Sequence, residues 1–176
     1  MASMLSDALE IVVRTDPGMI RELNEDSVFA DTGRGLVILA DGMGGYNAGE
    51  VASGMATSFL ASALETSFFD STMPGVNGSG GASTAHGCLL ESITRANTAI
   101  FNAALSEPHL SGMGTTLVTA LFHDNRMTVA HIGDSRLYLL RDDILTSVTR
   151  DHSLLQEQLD SGMITPEEAR FSQNKN

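Results

Sequence analysis

Acidic side chains at the ends of apolar runs carry the chemistry of this sequence. Leu36-Val-Ile-Leu-Ala-Asp41 is an apolar run closed by one carboxylate, and Gly42-Met-Gly-Gly45 follows at once. A carboxylate at the end of a strand buried on both faces is held rigidly, and glycines after it let backbone or ligand come close. With a neighbouring backbone carbonyl, that suits a hard cation, which takes oxygen ligands. The plainer alternative is a strand-to-helix turn in which Asp41 satisfies nearby amides. A carboxylate again follows an apolar run at Gly133-Asp134-Ser135-Arg136, and a charged segment, Arg21-Glu-Leu-Asn-Glu25-Asp26, lies upstream. Taken singly, Arg21 and Glu25 also read as a solvated surface pair. Gly133 to Arg136 also reads as a turn between strands.

Several other chemistries drop out. The glycines at 42, 44, 45 and 49 do not spell a dinucleotide fingerprint, whose last glycine would fall on Asn47. No Gly-Lys-Ser/Thr follows, so there is no nucleotide-binding P-loop. The histidines at 86, 109, 123, 131 and 152 lack the paired spacing of a zinc helix, and His131, within an apolar run, reads as a satisfied core residue. Ser53 and Ser135 lack the flanking glycines of a nucleophile elbow. Cys88 is the only cysteine, which excludes an intrachain disulfide and a thiolate metal cluster. The net charge of −12 argues against nucleic acid and anionic membrane surfaces as partners. No apolar run has the length of a membrane span, and the first ten residues lack the basic start of a signal peptide. The expectation is a soluble, cytoplasmic protein. An anionic substrate would need that charge offset locally, and bound divalent cations are suited to the task.

The elements that would position these residues follow an α+β order. Leu9 to Thr15 is β-branched and reads as a first strand, turned by Asp16-Pro17-Gly18. Ser27 to Ala30 and Leu36 to Ala40 read as an antiparallel pair joined through Gly33-Arg34-Gly35. Asn47 and Glu50 have capping-box spacing. Ala48, Val51, Ala52, Met55, Phe59 and Ala63 then make one helical stripe ending near Leu64. Phe68 to Ala82, rich in Gly and Ser, reads as an exposed loop. A second helix with Leu89, Ile93, Ala96, Ile100 and Ala103 on its buried stripe ends before Pro108. Strands over Thr115–Phe122 and Met127–Ile132 form a hairpin, and Leu137–Leu140 with Ile144–Val148 form another. Asp151 is placed to cap a short helix stopped by Gly162, and Thr165-Pro166-Glu167-Glu168 is a further capping box. Strands, two long helices, then strands again give a largely antiparallel sheet rather than a doubly wound fold.

Together, and in this order, these segments resemble the metal-dependent protein serine/threonine phosphatases, the PPM or type 2C family, in its bacterial form. The resemblance rests on Arg21-Glu-Leu-Asn-Glu-Asp-Ser27, Leu39-Ala-Asp-Gly-Met-Gly-Gly45 with Ala48-Gly-Glu50, Gly112-Met-Gly-Thr-Thr116, Ala130-His-Ile-Gly-Asp-Ser-Arg136 and Leu145 to His152. It implies an antiparallel β-sandwich flanked by helix pairs with a two-metal site at one end. By that resemblance Asp41 bridges two Mg²⁺ or Mn²⁺ ions and the Gly42 carbonyl binds one of them. Glu25 contributes largely through metal-bound water with Asp26 beside it, Asp134 belongs to a third, weaker ion, and Arg21 grips the substrate phosphate. The implied reaction is hydrolysis of phosphoserine and phosphothreonine in proteins by a metal-bridged hydroxide, opposing a bacterial kinase. Such oxygen ligands favour Mg²⁺ or Mn²⁺ over zinc. Met43 stands where many eukaryotic members carry a histidine proposed as a general acid, so leaving-group protonation is expected from a metal-bound water.

The resemblance further implies a catalytic domain that includes a later Asp-Gly and a final Asp-Asn segment, neither of which is matched within residues 1–176. The sequence-level expectation is therefore one phosphatase-like domain over residues 1–176 that lacks its C-terminal part and is poorly active alone. Two alternatives stay open. One is a catalytically inactive phosphatase-like module that binds phosphoproteins or a kinase. The other is a regulatory phosphatase of the sigma-factor type, which would carry a fused sensor domain.

Overall fold

The computed structural model describes residues 5–45, 48–69 and 81–172. After a short helix, α1 (Leu5–Ala8), the chain runs without regular structure to β1 (Asp26–Asp31) and β2 (Leu36–Met43). Helix α2 (Ala48–Leu64) continues through a π-helical turn at Glu65–Phe69, and α3 spans Gly81–Ser106. Strands β3 (Gly114–Thr115), β4 (Leu117–His123) and β5 (Arg126–Ile132) complete a five-stranded sheet in the order β1-β2-β4-β5, with β3 paired to the end of β2. All its pairings are antiparallel.

Alternation along β2 sets the layers. Leu36, Ile38, Ala40 and Gly42 are buried, while Leu39, Asp41 and Met43 are exposed. Leu36 and Ile38 pack with Leu60, Leu64, Leu89 and Leu121, and Ala40 packs with Ala48, Ala52, Ala56 and Ile100. The helix pair thus covers one face of the sheet, and alanines at the second cluster bring α2 close to the site end of β2. Arg34 ties the β1–β2 turn to the end of α2 by bridging Asp31 and Glu65.

The β4–β5 turn carries Asp124 and Asn125 at φ of 46° and 57°, the two left-handed residues of a type I′ hairpin. The same turn recurs at Asp142 and Asp143, φ 51° and 61°, between β6 (Tyr138–Arg141) and β7 (Ile144–Ser147), a separate two-stranded sheet. Helices α4 (Leu154–Asp160) and α5 (Pro166–Ala169) follow, with Gly162 between them at φ 71°. Thr165 and Glu168 form the expected capping box. Among the described residues, no helix is long and apolar enough to cross a membrane.

The α+β class and both hairpins agree with the sequence reading, and several local expectations are corrected. Residues 9–15 form no strand: no described strand pairs with them, Val12 is 85% exposed, and β-branched composition alone cannot satisfy a ladder. The β2 run is buried on one face rather than both, because helices cover only that face. On α2, Val51 and Phe59 are exposed, and the buried stripe is rotated toward Ser53, Ala56, Thr57 and Leu60. Small residues let this face approach the sheet closely, and that outweighs the larger apolar side chains. Ser153, not Asp151, caps α4 by accepting from the Gln156 N–H at 3.2 Å, since Asp151 is engaged by Arg136. The expected loop over Phe68 to Ala82 is shorter than read, because its ends belong to the π-helical turn at Glu65–Phe69 and to α3 from Gly81; residues 70–80 and the expected Asn47 cap lie outside the described residues.

Candidate active site

The site is built where β2 leaves the sheet. In the β1–β2 register Asp41 stands directly opposite Asp26, so two carboxylates share one face. Like charges so placed repel, and something must hold them there. The backbone of Asp41 is fixed from the next strand. Its N–H donates to Thr116 Oγ1 at 3.1 Å, and its carbonyl accepts from the Thr116 N–H at 2.9 Å and the Thr115 hydroxyl at 3.0 Å. Thr116 Oγ1 also meets Ser135 Oγ at 2.7 Å, which seats the loop after β5 against the same point.

The charged side chains near Asp41 set its electrostatic environment. Although Asp41 is exposed along β2, partial desolvation is the first cause that pushes its carboxyl above the ordinary aspartate range, followed by the Asp26 charge and a hydrogen bond to Asp26, with Asp134 adding to the shift. Arg21 opposes it. Asp26, Asp134 and Arg21 are thus gathered around Asp41 from three separate stretches of chain. A group whose charged form is disfavoured in this way gains from a nearby cation.

Glu25 sits differently. Its carbonyl accepts from the Gly42 N–H at 3.0 Å and from Ser53 Oγ at 2.6 Å. Its carboxylate lies against the first turn of α2, where the helix N-terminus favours negative charge. A Cβ on Gly49 would come within 2.5 Å of Glu25 Oε1, and one on Gly42 would come within 2.0 Å of the Gly49 carbonyl oxygen. Both glycines are therefore required for close approach of β2, α2 and the Glu25 segment. Among the ion pairs of the described residues, none joins Arg21 to Glu25. His131 is satisfied through Nε2 by the Arg150 carbonyl at 2.8 Å, but it is only half-buried, on the face away from α2 and α3.

The donors on this edge are all oxygens, a set suited to Mg²⁺ or Mn²⁺. Among the described residues, no three His, Cys, Asp or Glu side chains converge as a closed metal-binding group. The edge is acidic and open. Thr115, Thr116 and Ser53, which bond the backbone of Asp41 and Glu25, and Ser135, which meets Thr116, have no role legible residue by residue in the sequence. The only sequence signal for the first two was the Gly114-Thr-Thr116 segment, whose hydroxyls show no periodicity.

Comparison with known proteins matches this geometry to one family. Residues 21–161 match the model of the family described as protein phosphatase 2C. This chain belongs to the protein phosphatase 2C family. It is 47% identical to the serine/threonine protein phosphatase PstP of Mycobacterium tuberculosis (strain H37Rv), an alignment covering 92% of this chain and 28% of that protein. It is 41% identical to the serine/threonine phosphatase stp of Listeria monocytogenes (strain EGD-e), covering 93% of this chain and 62% of that one. Among solved structures, that of M. tuberculosis PstP/Ppp superposes with a TM-score of 0.75 at 44% identity, covering 92% of this chain and 63% of that chain. A PstP catalytic-domain structure described as a complex with 2 manganese ions gives 0.70 at 46% identity, covering 89% and 61%. The chain thus spans less than two thirds of the length of each of these relatives.

Proposed function

We propose that this chain carries the substrate-gripping and first metal-binding half of a Mg²⁺- or Mn²⁺-dependent phosphatase acting on phosphoserine and phosphothreonine in proteins. The observation that carries this reading is Asp41, fixed by Thr115 and Thr116 and ringed by Asp26, Asp134 and Arg21. Asp41 and the Gly42 carbonyl would hold the cations, two in number. Glu25 and Asp26 would orient the surrounding water, and Asp134 would serve a third, weaker ion. Bound cations supply charge neutralisation and activation of a water for attack on phosphorus.

The chain's own residues do the remainder. Arg21 presents a planar guanidinium that can take two phosphate oxygens at once and neutralise their charge. Asp26 and Asp41 keep the edge anionic, so that without cations a phosphate ester is repelled. Thr115 and Thr116 fix the backbone from which the Asp41 carboxylate projects. In the reading we favour, the partners are phosphorylated proteins and a cognate serine/threonine kinase whose action is reversed, in the cytoplasm. The alternative of a binding module without turnover is separated from this reading by the same experiment that tests it.

The test is hydrolysis of a phosphothreonine peptide by the chain with Mn²⁺ titrated in. Turnover that is slow, strictly Mn²⁺-dependent and lost in Asp41→Asn is expected. Peptide binding without Mn²⁺ and without turnover would favour the module, and turnover unchanged in Asp41→Asn would refute the assignment.

A further inference from the structure

We propose that Arg136, Asp151 and His152 are positioning residues that clasp the loop after β5 and so set where the Asp134 carboxylate stands relative to Asp41. The proposal rests on reading Asp134 as a residue of the cation site. Every neighbour of Asp134 is tied down. The Gly133 N–H donates to His152 Nδ1 at 3.3 Å, and the His152 N–H donates to the Gly133 carbonyl at 2.9 Å. Arg136 grips Asp151 with both arms, Nε to Oδ1 at 2.7 Å and Nη2 to Oδ2 at 2.5 Å. The Leu137 N–H donates to Thr149 Oγ1 at 3.0 Å. On the opposite side Ser135 meets Thr116, the residue that also fixes Asp41. Gly133, at φ 94°, rests on Thr116 so closely that a Cβ would come within 2.8 Å of its methyl.

The Asp134 carboxylate alone makes no hydrogen bond or ion pair among the described residues, and it is exposed. A bare turn would need the Gly133 backbone and little else. Here a bidentate guanidinium–carboxylate pair, whose Asp151 member is only 14% exposed, adds fixed geometry to a tip carrying one free charge. His131 braces the same segment: its Nε2 donates to the Arg150 carbonyl at 2.8 Å, and its ring lies 4.7 Å from that of His152. The far end continues into α4 through the Ser153 cap and an Arg150–Asp160 ion pair, so displacement of α4 is transmitted to the loop carrying Asp134.

The test compares Asp151→Asn, Arg136→Lys and Asp134→Asn variants of the chain with the wild type. Hydrogen exchange without metal reads the clasp directly. The Gly133 and His152 amides should exchange roughly five- to tenfold faster in Asp151→Asn and Arg136→Lys, while the Phe122 amide at the other end of the sheet is unchanged. Calorimetric Mn²⁺ titration reads the consequence. Asp151→Asn should weaken Mn²⁺ binding in the wild-type background and add nothing in the Asp134→Asn background, where a merely structural role would weaken both alike. Unchanged exchange at Gly133 and His152 overturns the clasp, and equal weakening in the two backgrounds overturns its action through Asp134. If the wild type binds no Mn²⁺, the metal-site reading fails by itself, and with it the action through Asp134, while exchange still decides the clasp. Arg136→Lys keeps the charge and loses only the fork, so it serves if Asp151→Asn does not fold.

Discussion

Gly42→Ala tests how tightly β2, α2 and the Glu25 segment are packed behind the site. The added methyl would lie 2.0 Å from the Gly49 carbonyl oxygen, 2.4 Å from its carbon and 2.7 Å from the Glu25 carbonyl oxygen. All three obstacles are backbone, so no side-chain rotation relieves them. Restoring ordinary contact means opening the gap from 2.0 Å to about 3.4 Å, which moves the start of α2 off the sheet or breaks the Gly42–Glu25 hydrogen bond. Overpacking typically costs about 1–3 kcal/mol, and a purely backbone clash belongs at or above the upper end. For a domain of this size, ~3 kcal/mol lowers the melting temperature by roughly 6–12 °C. Two controls bracket the result. Gly45→Ala meets nothing within 4 Å and should change stability by less than about 0.5 kcal/mol. Gly54→Ala, in open space inside α2, should stabilise by about 0.5–1 kcal/mol. Thermal melts followed by circular dichroism decide it. A Gly42→Ala protein melting within 2 °C of Gly45→Ala (about 0.5–1 kcal/mol) would refute the close-approach argument.

Other expectations follow from the same contacts. Thr116→Val removes the acceptor for the Asp41 N–H and the contact with Ser135, so chemical denaturation should show a loss of about 1–2 kcal/mol that Thr116→Ser restores. Asp41→Asn should raise the melting temperature of the metal-free chain at pH 7. The Asp41 carboxyl is pushed up in the folded state, so its ionisation works against the fold above that raised value, and the advantage of Asn should vanish as pH falls below the ordinary aspartate range. Asp151 has the opposite sign. Its carboxyl is held below the usual range, chiefly by the Arg136 hydrogen bonds and against some desolvation. The stability it contributes is therefore present above the ordinary aspartate value and lost as pH falls through the depressed one. Denaturant melts of Asp151→Asn and wild type should differ at pH 7 and converge in strong acid.

The parts of this molecule legible in its sequence are those set by local rules. The Asp124-Asn125 and Asp142-Asp143 turns, the Thr165 capping box and the long α3 stripe each need only neighbouring residues to specify them. The cluster of Arg21, Asp26, Asp41 and Asp134 was legible through segment order and family resemblance, since no spacing rule brings residues from three stretches together. Strand register does so, by placing Asp26 opposite Asp41, and Thr116 then links β2 to the Ser135 loop. Failures arose where long-range packing overrides composition. Residues 9–15 look like a strand but have no described partner. Val51 and Phe59 look like core, yet α2 turns its small residues to the sheet. Asp151 looks like a helix cap, but a guanidinium distant in sequence claims it.

The role of Asp41 is tested most directly by Mn²⁺ titration calorimetry on the wild-type chain and Asp41→Asn at neutral pH. The wild type should bind with a dissociation constant of roughly 10⁻⁴–10⁻³ M, the range of oxygen sites with few fixed carboxylates, and Asp41→Asn should show no saturable binding. The same isotherm from both proteins would contradict the assignment of Asp41 as the cation ligand.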